Sequence, residues 1–226
     1  MSKTRLEAFS DGVIAILITI LVLELKIPHA DTLEAVRPML PVFASYLMSF
    51  VYLGIYWTNH HHLLHTVDHV NGRILWTNLH LLFWLSLVPF ATGWMGENHF
   101  TPVPTAVYGG VLLMAAIAFT VLVRTIVASQ GARSSLRAAV GRDRKGKISL
   151  ALYGVAIAAT FFDRWISVGI YVLVAMIWFV PRQPDRVPLQ GVIAMGTARG
   201  GQPSRWPGYS SGPTSARPTK GAAMAE

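Results

Sequence analysis

"RLEAFSDGVIAI", residues 5–16, sets an arginine, a glutamate, a serine and an aspartate directly against an apolar run that continues to Leu23. If Ser10 or Asp11 caps a helix that begins at Gly12, the orphan N–H groups of its first turn are satisfied. Such a helix, ending at Ile27, is only about 24 Å long at 1.5 Å per residue, short of the ~30 Å hydrocarbon core of a bilayer. Starting it near Lys3 restores the length and draws Arg5, Ser10 and Asp11 into the helix. On that helix Arg5 and Asp11 stand about 240° apart, so they do not pair as neighbours three or four residues apart do. Each then needs a partner on another helix, because ionisable groups in or near a membrane are costly unless paired or wetted. The stretch reads as an interhelical lock at one end of a membrane helix.

The rest of the chain supports the membrane reading. Of its 226 residues 53% are hydrophobic and only 13% charged, where soluble domains carry about a quarter charged. The formal charge of +8 sits outside the apolar runs, which suits orientation in a membrane and not nucleic-acid binding. With no cysteine, disulfides, thiol redox chemistry and Cys-type zinc sites are excluded. The opening segment is basic and then apolar like a signal peptide, yet Glu7, Asp11 and the bulky "LVLELKIP" predict that it is retained as a first span.

Runs of suitable length predict six spans, near 4–26, 40–62, 72–94, 104–127, 147–163 and 165–181. The last two touch at Asp163 and Arg164 and form a tight hairpin or, less favoured, one long broken helix. Pro89 falls within the third and removes one helical hydrogen bond. The connection between spans four and five carries Arg124, Arg133, Arg137, Arg142, Arg144, Lys145 and Lys147, whereas "WMGENHFTPVP" between three and four has no Lys or Arg. The basic connection is therefore expected in the cytoplasm, where it meets anionic headgroups. An even count puts both termini there too, in keeping with Lys3, Arg5, Arg182, Arg186 and Arg199. Residues 1–181 are expected to form the membrane domain and 182–226, rich in Gly, Pro, Ser and Arg, a disordered basic tail.

Phe9, Val13, Ile16, Ile20 and Leu23 recur at spacings of three and four and share one face of the first helix. In so apolar a run any face shows such a stripe, and packing or lipid contact explains it. Thr19 is the only hydroxyl between Gly12 and Leu23, and such a threonine usually bonds back to its own helix. Six of the eight histidines, His60, His61, His62, His65, His69 and His80, lie close together. His61, His65 and His69 are spaced i, i+4, i+8 if the helix runs on, a spacing that suits a metal or a haem. Only Asp68 offers an acidic second partner and no H-E-x-x-H element supplies a base, so hydrogen bonding at the membrane interface is the favoured reading. Trp57, Trp76, Trp94 and Trp178 suit an aromatic belt. Glu24 and Lys26 close the outer end of span one, where a carboxylate is either simply solvated or attracts cations. No triad spacing, paired-carboxylate element or phosphate-binding glycine loop points to an enzyme.

An Arg, three residues, then Phe9-Ser10-Asp11 at the head of six spans resembles the signature of the transmembrane protein 175 family of potassium channels. "YWTNHHHLLH" at 56–65 is similar to that family's Trp-x-x-His-His element, and "LVPFATGWMGE" at 87–97 to its Pro-Phe-x-Thr segment. The resemblance implies an all-α tetrameric channel without a TVGYG filter, its first helix lining the pore. Carried over by distance from Asp11, it implies Ile16 as the principal constriction, with Ile20 and Leu23 one and two turns further out. Thr19 falls where bacterial members have a threonine tied to selectivity. His60, His61, Asn59 and Asn78 become candidate partners for Arg5, Ser10 or Asp11. The partners implied are potassium ions, membrane lipid and three further copies of the chain in a cell membrane, with no cofactor; a ring of isoleucines predicts a weak preference for potassium over sodium. The alternative is a histidine-liganded membrane metalloprotein or haem oxidoreductase.

Overall fold

In the computed structural model, which describes residues 2–28, 31–129 and 144–179, the chain is all helical. Helix α1, Lys3–Leu23, starts where the length argument requires, with Ser2 as N-cap accepting from the Arg5 N–H at 3.4 Å. Ser10 and Asp11 therefore lie inside it. It ends at Leu23, so the first span is shorter than 4–26, yet its 21 residues still reach about 32 Å.

A 3₁₀ stretch, Leu33–Met39, leads into α2, Leu40–His65. Helix α3 covers Gly72–Ser86 and α4 Val88–Glu97. The expected continuous third span is thus two segments that meet at Leu87. Pro89 has no N–H to offer the Leu85 carbonyl and its ring crowds it, so the Leu87 N–H turns back to the Trp84 carbonyl at 3.3 Å and the helix restarts. Between α4 and α5, Pro102–Ser129, the chain reverses through His99 and Phe100, both left-handed with φ of 51° and 57°. Phe100 is held there by its buried side chain, which meets the Trp165 ring at 5.8 Å.

Helices α6, Arg144–Ala159, and α7, Arg164–Phe179, form the tight hairpin. Asp163 closes its turn: its N–H reaches the Ala159 carbonyl at 2.9 Å and its carboxylate accepts from the Trp165 N–H at 2.8 Å. The stretches Lys3–Leu23, Leu33–His65, Gly72–Glu97 and Pro102–Ser129 are long and apolar enough to cross a membrane. Helices α6 and α7, with 16 residues each, span about 24 Å.

Helix α5 forms the centre, packing on α3, α4, α6 and α7. Its inward row of Tyr108, Leu112, Ala115, Ala118, Leu122 and Ile126 is buried, and small residues in it let neighbouring backbones approach. Gly96 and Gly109 serve the same purpose: a Cβ at Gly96 would stand 2.8 Å from the Val42 Cα, and one at Gly109 would meet the Tyr171 hydroxyl. Several polar groups in this core pair with one another, as a hydrocarbon surrounding favours. Ser49 on α2 hydrogen-bonds the Thr92 hydroxyl on α4 at 2.6 Å and the Tyr108 hydroxyl on α5 at 3.0 Å.

Helix α1 sits at the margin. It packs on α2, α3 and α4 through Leu6, Ser10, Ile14, Leu17 and Leu21, all buried. Its other face carries the exposed Phe9, Ile16 and Leu23 and packs against no other helix to any extent among the described residues. Arg133, Arg137, Arg142, the side chain of Arg144 and the whole of 182–226, on which the cytoplasmic loop and tail expectations rest, lie outside what is described.

Candidate functional site

At the N-terminal end of α1 the packed face brings Ser10, fully buried, against α2 and α3. The Asn78 amide on α3 donates to the Ser10 hydroxyl at 2.9 Å, and the Asn78 carbonyl oxygen meets His60 Nε2 on α2 at 2.7 Å. With the Asn78 amide turned to Ser10, its oxygen needs a donor, so Nε2 carries the imidazole proton. His60 Nδ1 is then buried with no hydrogen-bond partner, a place where a second N–H would be costly. One residue on, Asp11 Oδ1 accepts from the Trp57 indole N–H at 3.1 Å, and Asp11 Oδ2 lies 3.9 Å from His61 Nδ1. Trp57, expected in an aromatic belt, is also a partner of Asp11. An indole has a single donor and prefers to use it when partly buried, but no periodicity in the sequence marks that use.

Two expected members stand apart. Asn59 turns its amide back to the Ile55 carbonyl at 2.7 Å and lines a cavity of about 40 Å³ with Tyr52, Tyr56, Ser149 and Tyr153. The guanidinium of Arg5 is exposed and has no hydrogen bond or ion pair among the described residues. Near it Lys3 donates to the His65 carbonyl at 2.7 Å and stands 3.8 Å from Glu7.

The bare face of α1 carries the apolar stripe. Phe9, Ile16 and Leu23 are 47%, 57% and 76% exposed, with Val13 and Ile20 half-buried beside them. Thr19, also exposed, donates back to the Ile16 carbonyl at 2.8 Å. Arg5 lies within about 20° of Ile16 and Leu23 round the helix at 100° per residue. At the far end Lys26 pairs with Glu97 of α4 at 2.6 Å, and this hydrogen bond, with the Glu97 charge, raises the lysine pKa above its usual value. Glu24 packs against Gly93, where a Cβ would stand 2.5 Å from its Oε2.

The three-histidine row is not formed. Helix α2 stops at His65, which leaves His69 off the helix, and no group of three or more His, Asp or Glu able to hold a metal exists among the described residues.

The family described as endosomal/lysosomal potassium channel TMEM175 matches residues 5–89, the stretch that holds Arg5, the Ser10–Asn78–His60 chain and the bare stripe. A potassium channel of Chryseobacterium sp. (strain P1-3) is 54% identical over 181 residues, covering 80% of this chain and 94% of that one. A potassium channel of Chamaesiphon minutus is 34% identical over 187 residues, 76% of this chain and 91% of its own. The crystal structure of a lysosomal potassium-selective channel TMEM175 homologue from Chamaesiphon minutus superposes with a TM-score of 0.69 at 31% identity, covering 78% of this chain and 95% of that one. The helical order, the several apolar spans and a similarity that runs nearly the full length of these relatives have one reading: the chain is a multi-pass membrane protein and belongs to the TMEM175 family.

Proposed function

We propose that this chain forms a homotetrameric potassium channel whose pore is lined by four copies of α1, with Ile16 as its narrowest ring and Ile20 and Leu23 one and two turns further out. The observation that carries this reading is the bare face of α1: Ile16 and Leu23 project from the chain at 57% and 76% exposure while the opposite face is fully packed. A helix so disposed is free to face its own copies across an axis, and the relatives named as potassium channels give the permeant ion.

A ring of four isoleucines offers no oxygen ligands, so an ion crossing it sheds water without replacement, and such a constriction also gates by dewetting. Potassium dehydrates at lower cost than sodium. The selectivity expected is therefore real but modest. Thr19, one turn beyond Ile16 on the exposed side, contributes to it. Lys and Arg placement supports cytoplasmic termini in a cell membrane, and the Ser10–Asn78–His60 and Asp11–Trp57–His61 contacts lock α1 to α2 and α3 at that end. Arg5, without a hydrogen bond or ion pair among the described residues and on the side of the stripe, is left for a neighbouring copy.

The test is ion flux from liposomes holding the purified protein. Potassium should leave faster than sodium, and Ile16→Asn, which supplies amide ligands at the ring, should change the ratio while the protein stays folded. Absence of cation flux from intact wild-type protein contradicts the channel reading.

A further inference from the structure

Beside the lock, His61 and His65 stand one turn apart on the last stretch of α2, and their Nε2 atoms are 3.0 Å apart. Two histidines at i, i+4 on one helix face are the spacing with which helices hold zinc. With metal–nitrogen bonds of 2.0–2.1 Å, two imidazoles on one ion place their nitrogens about 2.9 Å apart at 90° and about 3.3 Å apart in a tetrahedron. The observed 3.0 Å falls between them; the contact is itself an N–H···N hydrogen bond between the two rings, so an ion takes the place of the shared proton and turns the rings, while the helix backbone already sets the spacing. The other nitrogen of His61 matters as much. Its Nδ1 lies 3.9 Å from Asp11 Oδ2, longer than a hydrogen bond but closed by a small turn of the ring, and a ligating histidine usually directs its second N–H to a carboxylate that fixes the ring and raises its basicity. Asp11 is itself fixed by the Trp57 indole. The side chains of His61 and Asp11 are 40% and 36% exposed and His65 is exposed, so the pair is open to ions from solution.

We propose that His61 Nε2 and His65 Nε2 form a two-histidine site for a divalent transition-metal ion such as zinc, nickel or copper, with Asp11 behind His61 as its outer partner. Imidazole suits these ions, and copper binds most tightly. Water fills the remaining positions, since no third protein ligand stands by among the described residues. Two ligands make this a site for a modulating ion and not for a permanently held one. Because Asp11 belongs to α1 and both histidines to α2, a bound ion strengthens the tie between these helices at the locked end.

The test is Cu²⁺ titration of the full-length protein in detergent, read by electron paramagnetic resonance, which counts coordinated nitrogens and does not depend on ion flux. Wild type should bind one copper per chain with two equivalent imidazole nitrogens. His65→Gln should lose one nitrogen and at least tenfold in affinity, while Asp11→Asn should keep both nitrogens and weaken binding about tenfold, at the lower end of what outer-shell losses cost. His62→Gln should change neither. In wild type alone, Zn²⁺ should protect His61 and His65, and not His62, from carbethoxylation. A copper signal that survives His65→Gln unchanged, or that follows His62 or His69, overturns the proposal, as does labelling of His61 and His65 that Zn²⁺ does not slow.

Discussion

Asn78 has both ends of its amide engaged, donating to Ser10 and accepting from His60, and all three residues are fully buried. Cutting it to alanine strands two polar groups where neither water nor lipid satisfies them. Asn78→Ala is therefore expected to lower stability by roughly 1–3 kcal/mol, read as a fall in melting temperature. Asn59→Ala, which loses only a bond within its own helix, should cost far less. Equal losses would show that the buried chain holds nothing together. These two asparagines also mark how far the candidate site was legible. Residue type and family spacing name His60, His61, Asn59 and Asn78 together, but which of them reaches α1 depends on helix rotation, and that is set by packing across some 68 residues of separation. Trp57 escaped for the same reason: an indole near a span end reads as a belt residue until its neighbour is known.

At the level of elements, hydropathy locates the helices within a few residues, since a run must match the thickness of the membrane. It does not reveal the break at Leu87, because a proline inside a membrane helix produces anything from a slight kink to a full restart, and the neighbours decide. Nor does it show close approaches. Gly96 faces the backbone of α2 at Val42, and a backbone has no rotamer with which to yield, so Gly96→Ala should force α4 from α2 and cost about 1–3 kcal/mol. A fully stable, unaltered variant in thermal melts would contradict that packing. The Lys26–Glu97 pair ties the segment just after α1 to the end of α4. Its lysine pKa is raised in the folded state, so whatever stability it adds is fully present below the unfolded value of 10.5 and is lost only as pH climbs through the raised value. The melting-temperature difference between wild type and Lys26→Met should accordingly stay flat from pH 5 to 9. It should also shrink as salt is added, because both side chains are well exposed.

For the whole molecule, what stands out is an asymmetry: α5 packs against four helices along a continuous buried row, while α1 packs against three through one face and leaves the other bare among the described residues. The bare face itself was unreadable from sequence, since every residue from Gly12 to Leu23 except Thr19 is apolar and no stripe differs from another. Burial separates them, with Ile14, Leu17 and Leu21 inward and Ile16 and Leu23 outward. Four such chains around an axis would give every α1 a neighbour and leave the α5 core untouched. Lipid facing the same stripe would satisfy it equally in energy, but it would leave no water path beside Ile16.

That difference is directly measurable, because the chain has no cysteine of its own and a single introduced thiol is the only target. In liposomes, Ile16→Cys should conduct potassium and be blocked by a water-borne, charged thiol reagent, while Leu17→Cys, one residue on and turned into the chain, should conduct and stay unaffected. Block at position 16 alone is the result predicted for a pore lined by α1. Undiminished potassium flux through Ile16→Cys after the reagent, with the thiol left unlabelled, would place that face against lipid and contradict it.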